Sequence, residues 1–564
     1  NHGLYDGWVP KKTAPTMAYL TRQDIPFHYA LADAFTVCDA YHCSLIGPTD
    51  PNRFYLWTGS TGGAGTGGGP VIANDEIGYS WTTYPERLQQ AGVSWKIYQD
   101  AGDGLDAAGF WGWTGDPYIG NYGDNSLLYF TQYQHAQPGD PLYDRARVGT
   151  NTKGGQDLFE ILRSDVSRNE LPAVSWVVAP EAYTEHPNWP ANYGAWYIAQ
   201  VLDALTASPD VWSKTVLFIT YDENDGFFDH MVPPYAPMTA ADGASTVDTT
   251  AEIYSGQAGT PGGTVGEPGA YGLGQRVPML VISPWSKGGY VDSEVLDHTS
   301  IIRFLERRFG VTEPNITPWR RAVCGDLTSA FDFTATDDQP PALPPTAGYL
   351  PPDRNRHPDV VPVPPAEQSV PGQEPGVRRT RPLPYHLDVA GTVAADGVSL
   401  QLSNRGRSGA VFHTRATTAV APGMHAQMFT VGAGQRIDTT PPFSADGYDV
   451  EIHGPNGFYR HLAGAAAPGP EVTATPVGAS RRLRLSLSNS GPAVGLTVAD
   501  NRRGGRPLTV RLRQGGTITH IVGGHGDGWY DVTVTSSGDQ RYLRRLAGHL
   551  EDGRSGTSDA ALGG

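Results

Sequence analysis

The most chemically distinctive part of this sequence is an acidic run, residues 221–230, that directly follows the apolar segment 216–219. Asp222 and Glu223 are adjacent in it, and two like charges at the end of a strand repel each other unless a cation or a partner neutralises them. Carboxylate oxygens are ligands that divalent metal ions prefer. The run therefore predicts a metal site, and a solvated acidic loop is its alternative.

A second candidate is a hydroxyl residue in a turn bounded by two prolines. Thr49 lies in this turn, and Asn52 and Arg53 follow it. Such turn residues expose a hydroxyl and hold it in place, but a threonine is a poor nucleophile unless a base or a metal lowers its pKa. Arg53 could hold an anion. An ordinary turn is the alternative, and Ser44 is a rival hydroxyl in the same stretch.

Two further segments carry histidines near the ends of apolar patterns. His186 follows the apolar segment 173–178 and could ligate a metal or donate a proton to a leaving oxygen; a lone surface histidine is the alternative. In the segment 296–300, Asp297 or Thr299 could simply cap the helix that follows. A fixed hydroxyl, an acidic pair and a histidine together predict metal-assisted attack by a side-chain oxygen on phosphorus or sulfur.

An α/β domain must position these residues. Its strands are predicted by short apolar, β-branched runs at 93–98, 173–178, 216–221 and 279–282. Apolar spacing at 198–205 and 301–309 predicts helices, with Gly310 as the stop of the second. Strands that alternate with helices favour a mostly parallel sheet covered on both faces, in which ligands gather at the carboxyl ends of the strands.

The rest of the chain has a different character. Residues 340–384 contain 14 prolines and read as an extended linker. Beyond the linker, the alternating apolar and polar residues of 398–403 have a counterpart at 483–488. The sequence of 458–464 likewise has a similar copy at 542–548. An offset of 82 to 85 residues predicts two small β-sandwiches that do no chemistry. The predicted parts are a catalytic domain at 1–335, a Pro-rich linker at 336–384, two repeats at 385–467 and 468–550, and a flexible tail at 551–564.

Composition limits the function classes. The 564 residues carry 41 basic and 58 acidic side chains, a formal net charge of −17, which disfavours nucleic acid as a partner. No apolar stretch is long enough for a membrane helix. The three cysteines, Cys38, Cys43 and Cys324, do not make a disulfide framework, although one bridge is possible.

Several of these segments together resemble the bacterial phosphoesterase family of secreted phospholipases C and acid phosphatase A. The similarity covers residues 1 to about 335, and it rests on segments at 24–27, 30–36, 47–53, 185–187, 221–230 and 297–300. The tandem repeats resemble the paired carboxy-terminal modules of the phospholipase C branch. The resemblance implies an alkaline-phosphatase-like core. It also implies that a Glu-Asn-Arg-Ser-Phe-Asp-His segment with further metal ligands would precede Asn1.

The resemblance also implies roles for particular residues. It casts Thr49 as the nucleophile, His186 as an active-site histidine near the phosphate, and Asp222 and Glu223 as ligands of a divalent metal ion, Ca²⁺ or Zn²⁺. Asn52 and Arg53 are expected to bind the phosphate.

The predicted function is that of a secreted or periplasmic phospholipase C that hydrolyses the glycerol–phosphate bond of phosphatidylcholine-like lipids at membrane surfaces or aggregates. The protein is expected to be a monomer that binds no nucleic acid. An acid phosphatase is the alternative enzyme, and a non-catalytic surface-binding protein is the alternative outside enzymes.

Overall fold

The structure is a computed structural model. It describes residues 5–63, 67–76, 78–105, 112–356, 361–369, 372, 374–394, 397–416, 426–440, 447–478, 480–502, 504–523 and 526–559. Its helices are α1 Trp8–Lys12, α2 Pro26–Ala34, α3 Thr49–Thr58, α4 Tyr84–Gln90, α5 Thr131–Gln134, α6 Pro141–Ala146, α7 Glu160–Ser167, α8 Ala191–Thr206, α9 Pro209–Trp212, α10 Thr299–Phe309 and α11 Pro318–Val323.

The strands fall into two groups along the chain. Those of the first 380 residues are β1 Thr36–Cys38, β2 Trp95–Tyr98, β3 Val174–Val177, β4 Leu217–Thr220, β5 Gly243–Ser245, β6 Ile253–Tyr254, β7 Gly269–Ala270, β8 Met279–Ile282, β9 Tyr290–Asp292 and β10 Arg379–Thr380. The later ones are β11 Leu387–Ala394, β12 Gly397–Asn404, β13 Ala410–Ala416, β14 Ala426–Val431, β15 Arg436–Thr439, β16 Tyr448–His453, β17 Tyr459–Gly464, β18 Pro470–Pro476, β19 Arg482–Asn489, β20 Val494–Asp500, β21 Leu508–Leu512, β22 Thr517–Gly523, β23 Trp529–Ser536, β24 Leu543–His549 and β25 Gly556–Thr557.

The predicted catalytic domain contributes β9, β1, β8 and β4 to a six-stranded sheet in the order β25-β10-β9-β1-β8-β4, to which the predicted linker adds β10 and the predicted tail adds β25. The apolar strand β8 is buried along its whole length, as expected of a central strand with both faces covered. Its residues Leu280 and Ile282 pack with α2 and α8, and Met279 and Val281 pack on the opposite face with Ile301 of α10. The expected α/β domain followed by a β region is therefore confirmed.

The strand directions are more mixed than expected. In this sheet β1–β9 and β9–β10 are parallel, whereas β1–β8, β4–β8 and β10–β25 are antiparallel. A parallel neighbour requires a crossover of a dozen or more residues. Only residues 283–289 join β8 to β9, so these two strands run in opposite directions on either side of β1. Strands β2 and β3 form a separate parallel pair.

The two repeats share one sheet instead of standing as independent sandwiches. Their larger sheets merge in the order β21-β20-β23-β24-β17-β16-β13-β14-β5, and a three-stranded sheet covers each half. The join is the antiparallel pair β17–β24, in which His461 lies opposite Arg545. These two residues are equivalent positions of the repeat, 84 residues apart.

Equivalent arginines make reciprocal contacts across this join. Arg460 and Arg544 are each 3% exposed. Arg460 Nη2 donates a hydrogen bond to the hydroxyl of Tyr530 in the second repeat at 3.1 Å, and Arg544 Nη2 donates to the hydroxyl of Tyr448 in the first. Each repeat therefore supplies the acceptor that the buried arginine of the other one needs.

The β region is also attached to the catalytic domain. β5 of that domain pairs with β14, and the buried Trp319 of α11 donates its indole N–H to Thr430 Oγ1 at 2.9 Å. The segment 551–564, expected to be a flexible tail, is held in part, since β25 pairs with β10; its residues 560–564 lie outside those described. Cys38, Cys43 and Cys324 are buried and unbridged.

Candidate active site

The hydroxyl of Thr49 lies in the first turn of α3. Pro48 precedes it in an extended conformation. Asn52 is fully buried, and its side-chain amide nitrogen donates hydrogen bonds to the carbonyl oxygens of Leu45, Gly47 and Pro48 while its oxygen accepts one from Leu45 N–H. These bonds hold the turn that presents Thr49. The role of Asn52 in phosphate binding stays a prediction, because in this structure its amide is taken up by the turn.

Glu223 is the acidic partner of this hydroxyl. Thr49 Oγ1 donates a hydrogen bond to Glu223 Oε1 at 3.2 Å, so the two segments that looked most reactive in the sequence meet here. Burial, followed by the charges of Asp222 and Asp225, raises the pKa of Glu223. Its second oxygen, Oε2, is buried and has no hydrogen-bond partner among the residues described.

Arg53 lies beside this pair and is the positive group of the site. Its Nε donates to Asp222 Oδ2 at 2.9 Å, and its Nη2 lies 3.0 Å from Asp124 Oδ2. The guanidinium therefore bridges two carboxylates, and these neighbours raise the pKa of Arg53 against the effect of burial. Arg53 thus contacts Asp222, the neighbour of Glu223 in the chain, and it would exchange at least one of these contacts to bind a phosphate oxygen.

The site holds more carboxyl groups than Arg53 can pair with. Asp50 is 5% exposed, and burial together with the charge of Glu76 raises its pKa to about 8. Its Oδ2, like Oε2 of Glu223, is buried without a hydrogen-bond partner in the described part of the chain. Such oxygens have the donor chemistry of a divalent-cation site. However, no group of three or more ligating side chains is assembled among the described residues, so Asp222 and Glu223 would supply only part of a coordination shell.

His186 lies at the edge of the site, and it is exposed. Its Nδ1 is 2.6 Å from Asn188 Oδ1, and its ring meets that of Tyr122 edge-on at 6.1 Å. The preceding Glu185 turns inward with a φ of +64° and accepts a hydrogen bond from Tyr221 at 2.8 Å. This bond ties the loop of His186 to the end of β4, but His186 makes no described contact with Thr49.

A buried network supports the site from behind. Ser44 is fully buried and donates its hydroxyl to Asp297 Oδ2 at 2.8 Å. Asp297 lies one residue before His298, the N-cap of α10, accepts from the N–H of Thr299 at 3.1 Å, and pairs with buried Arg320 at 2.6 Å. His298 Nε2 lies 2.9 Å from the carbonyl oxygen of Asp222, which fixes the backbone beside Glu223. Because Ser44 is enclosed, it is not placed to attack a substrate.

Comparison with known proteins identifies the family of this chain. The Phosphoesterase family matches residues 1–312. The chain belongs to this family. Bacterial phospholipase C, C-terminal domain matches it twice, at 380–465 and 470–549. The predicted family, and with it the prediction of a phosphoric ester hydrolase, is confirmed.

Several named relatives of this phosphoesterase align with its full length. It is 55% identical to a non-hemolytic phospholipase C of Burkholderia pseudomallei over 580 residues, which cover 100% of this chain and 81% of the relative. It is 45% identical to a non-hemolytic phospholipase C of Pseudomonas aeruginosa, again with 100% and 81% covered. A hemolytic phospholipase C of the same organism is 40% identical, with 100% and 82% covered.

An apolar groove leads to the site of this phosphoesterase. It has a volume of about 910 Å³, lies between β3 and β4, and reaches Arg53, Asp124 and Asp222 at one end. All four residues of β4 are only half-buried, although Leu217, Phe218 and Ile219 are apolar. β3 pairs only with β2 and β4 only with β8 within the described ranges. No described helix has the length and apolar character needed to cross a membrane.

Asp124 of the site was missed in the sequence, and the contact made by His298 was not foreseen. Asp124, which pairs with Arg53, comes from an irregular loop after Tyr122, whose φ is +58°, and no periodic pattern surrounds it. His298 was noticed only within a helix-capping segment, although its ring contacts the backbone of Asp222. A histidine and an acidic residue at the end of a strand are chemically complementary, and this could have suggested a contact between His298 and Asp222. No comparable signal in the sequence marks Asp124.

Proposed function

We propose that this protein is a phospholipase C that hydrolyses the glycerol–phosphate bond of phosphatidylcholine-like lipids, with Thr49 as its nucleophile. The observation that carries the proposal is the 3.2 Å hydrogen bond from the Thr49 hydroxyl to Glu223, with the Arg53 guanidinium beside it. It occurs in a chain that aligns over its whole length with proteins named phospholipase C. The export of the protein from the cell is part of the same proposal.

In the first step Thr49 Oγ1 attacks the phosphorus of the substrate. The bond from Oγ1 to phosphorus forms, the bond from phosphorus to the glycerol oxygen breaks, and diacylglycerol leaves. The hydroxyl proton passes to Glu223 Oε1, which already accepts the hydrogen bond from it. His186, on the rim, protonates the leaving oxygen, and Arg53 attracts the negative phosphate oxygens.

In the second step water hydrolyses the phosphothreonine. The bond from the water oxygen to phosphorus forms and the bond from phosphorus to Oγ1 breaks. One water proton passes to His186, which gave up its proton in the first step, and the Thr49 oxygen recovers its proton from Glu223, so that phosphocholine leaves and both residues are restored. The fixed turn at Asn52 keeps Oγ1 in the same position through both steps, since a nucleophile held in place avoids part of the entropic cost of reaction.

We include a divalent cation, Ca²⁺ or Zn²⁺, in this proposal. Asp222 and Glu223 would hold it, with the unpartnered Oε2 of Glu223 as the free donor atom. A cation there supplies positive charge that lowers the pKa of a nearby hydroxyl and balances the carboxylates. Metal analysis of the active protein tests this: we expect about one bound cation per chain and weaker binding in Asp222→Asn, and the absence of a stoichiometric cation would contradict it.

The activity is tested by incubating the intact protein with phosphatidylcholine in mixed micelles and measuring phosphocholine and diacylglycerol. We expect both products, and their loss in Thr49→Ala. A soluble phosphomonoester is the comparison substrate. Phosphate release from the monoester without phosphocholine release would favour an acid phosphatase, and no turnover of either substrate would favour a non-catalytic binding protein.

A further inference from the structure

Six large apolar side chains on the segment 8–20 and the loop 226–228 are exposed to solvent. We call them the rim patch, and they are Val9, Met17, Tyr19, Leu20, Phe227 and Phe228. Their exposed fractions lie between 36% and 63%. Single exposed apolar residues are ordinary on protein surfaces, but a group of them marks an interaction site.

The two segments that carry the rim patch are joined to each other. The N–H of Phe228 donates a hydrogen bond to the carbonyl oxygen of Thr16 at 2.7 Å, and Thr16 Oγ1 donates to the carbonyl oxygen of Gly226 at 2.6 Å. The ring of Trp8 meets that of Phe228 edge-on at 5.7 Å. The segment 8–20 and the loop 226–228 therefore form one local surface.

The loop that carries Phe227 and Phe228 is continuous with the Thr49 site. Phe227 and Phe228 follow Glu223 by four and five residues on the same loop. The side chain of Lys12 lies over Gly226, where an added Cβ atom would come within 3.1 Å of Lys12 Cε. The loop that supplies the acidic partner of the nucleophile therefore continues directly into the rim patch.

We propose that the rim patch docks on a phospholipid bilayer and turns the Thr49 site towards the lipid headgroups; this inference rests on the proposed phospholipase activity. The patch consists of aromatic and aliphatic side chains on two surface segments, with Lys11 and Lys12 exposed beside them. Apolar side chains next to lysines are the composition of segments that lie in a membrane interface.

The charge of the protein indicates which force holds it there. With a net charge of −17, the chain as a whole is repelled by an anionic membrane. Docking must therefore depend mainly on burial of the apolar side chains, and Lys11 and Lys12 only relieve the repulsion locally. Binding to zwitterionic vesicles should consequently survive high salt, which screens charges but not apolar contacts.

The test is co-sedimentation with phosphatidylcholine vesicles, using the Thr49→Ala chain so that the lipid is not consumed. The triple variant Met17→Ser, Tyr19→Ser, Leu20→Ser should bind at least about tenfold more weakly, since three apolar side chains no longer enter the interface. The matched control is Ile518→Ser, Ile521→Ser, which removes two exposed apolar residues of β22. It should change binding less than about twofold.

A labelled variant gives an independent readout that does not depend on the folding of the triple variant. Because Cys38, Cys43 and Cys324 are buried, an environment-sensitive dye should react selectively with Leu20→Cys. Its emission should shift to the blue when vesicles are added, and a dye on Ile518→Cys should not shift.

The outcomes separate the docking surface from the proposed activity. Unchanged vesicle binding by the triple variant, or equal loss in the β22 control, would overturn the docking proposal even if the enzyme cleaves lipid. Loss of binding in the triple variant alone supports it even if no lipid turnover is found. With Thr49 restored, the triple variant should keep its turnover of a soluble phosphodiester and lose its turnover of vesicles.

Discussion

Replacement of Thr49 or Ser44 by alanine should separate catalysis from stability. Thr49 is half-buried, and among the described residues its side chain makes one hydrogen bond, at 3.2 Å, to Glu223. Thr49→Ala should therefore cost only about 0.5–1.5 kcal/mol of the free energy of unfolding. If its oxygen is the nucleophile, the rate should fall at least about a thousandfold, which corresponds to about 4 kcal/mol of activation free energy.

Ser44→Ala should have the opposite profile. Ser44 is 0% exposed; its hydroxyl donates to Asp297 Oδ2 at 2.8 Å and accepts from the N–H of His298 at 3.2 Å. Its removal leaves two buried polar groups without this partner, at roughly 1–3 kcal/mol each if neither finds another. The variant should be clearly less stable, while its rate on folded protein should change by less than about tenfold.

The assay combines kcat/KM on a soluble phosphodiester with urea unfolding of the same preparations. A soluble substrate is used so that lipid docking does not contribute to the rate. Thr49→Ser is the control, because it keeps a hydroxyl and should retain much more activity than Thr49→Ala. An active Thr49→Ala together with a stable, inactive Ser44→Ala would refute the assignment of the nucleophile.

Three further outcomes are expected. Arg320→Met should lower the free energy of unfolding by roughly 3–5 kcal/mol, because it leaves the buried carboxylates of Glu252 and Asp297 without their cationic partner. Urea unfolding measures this loss. A chain that ends at residue 384 should lose turnover of soluble and lipid substrates alike, since β5 and α11 lose their partners in the β region; full activity on a soluble phosphodiester would contradict this. Burial lowers the pKa of His42 to about 4, so the folded chain prefers the neutral ring and the unfolding free energy should fall as the pH drops from about 6.5 towards 4. His42→Gln should remove up to roughly 3 kcal/mol of that fall, measured by urea unfolding across this pH range.

The strands were predictable from sequence, but their directions were not. Short apolar runs gave the positions of β2, β3, β4 and β8 because a buried strand needs apolar side chains on both faces. Direction depends on the connections between strands, and the seven residues 283–289 decide it for β8 and β9. The sequence repeat predicted the two β units. It does not show which strand edges pair, so the joining of their sheets through the pair β17–β24 could not be predicted.

The same difference holds for the candidate site. The proximity of Thr49 to Glu223 was foreseeable, because a loop hydroxyl and a strand-end acid meet at the same edge of an α/β sheet. The pairing of Arg53 with Asp124 was not, since it depends on the path of an irregular loop. The use of Asn52 inside its own turn depends on three-dimensional hydrogen bonding that residue type alone does not specify.

The join between the two repeats has the symmetry of an isologous dimer. His461 faces its own equivalent, Arg545, and Arg460 and Arg544 exchange acceptors with the opposite copy, as residues do across a two-fold axis between identical subunits. Here one chain holds both halves, so their association is intramolecular and independent of protein concentration. The first repeat made alone would expose the edge of β17 and lack the Tyr530 and Ala547 oxygens to which Arg460 donates, and it should therefore associate with itself. Within one chain, a contact of this symmetry becomes part of a single folding unit.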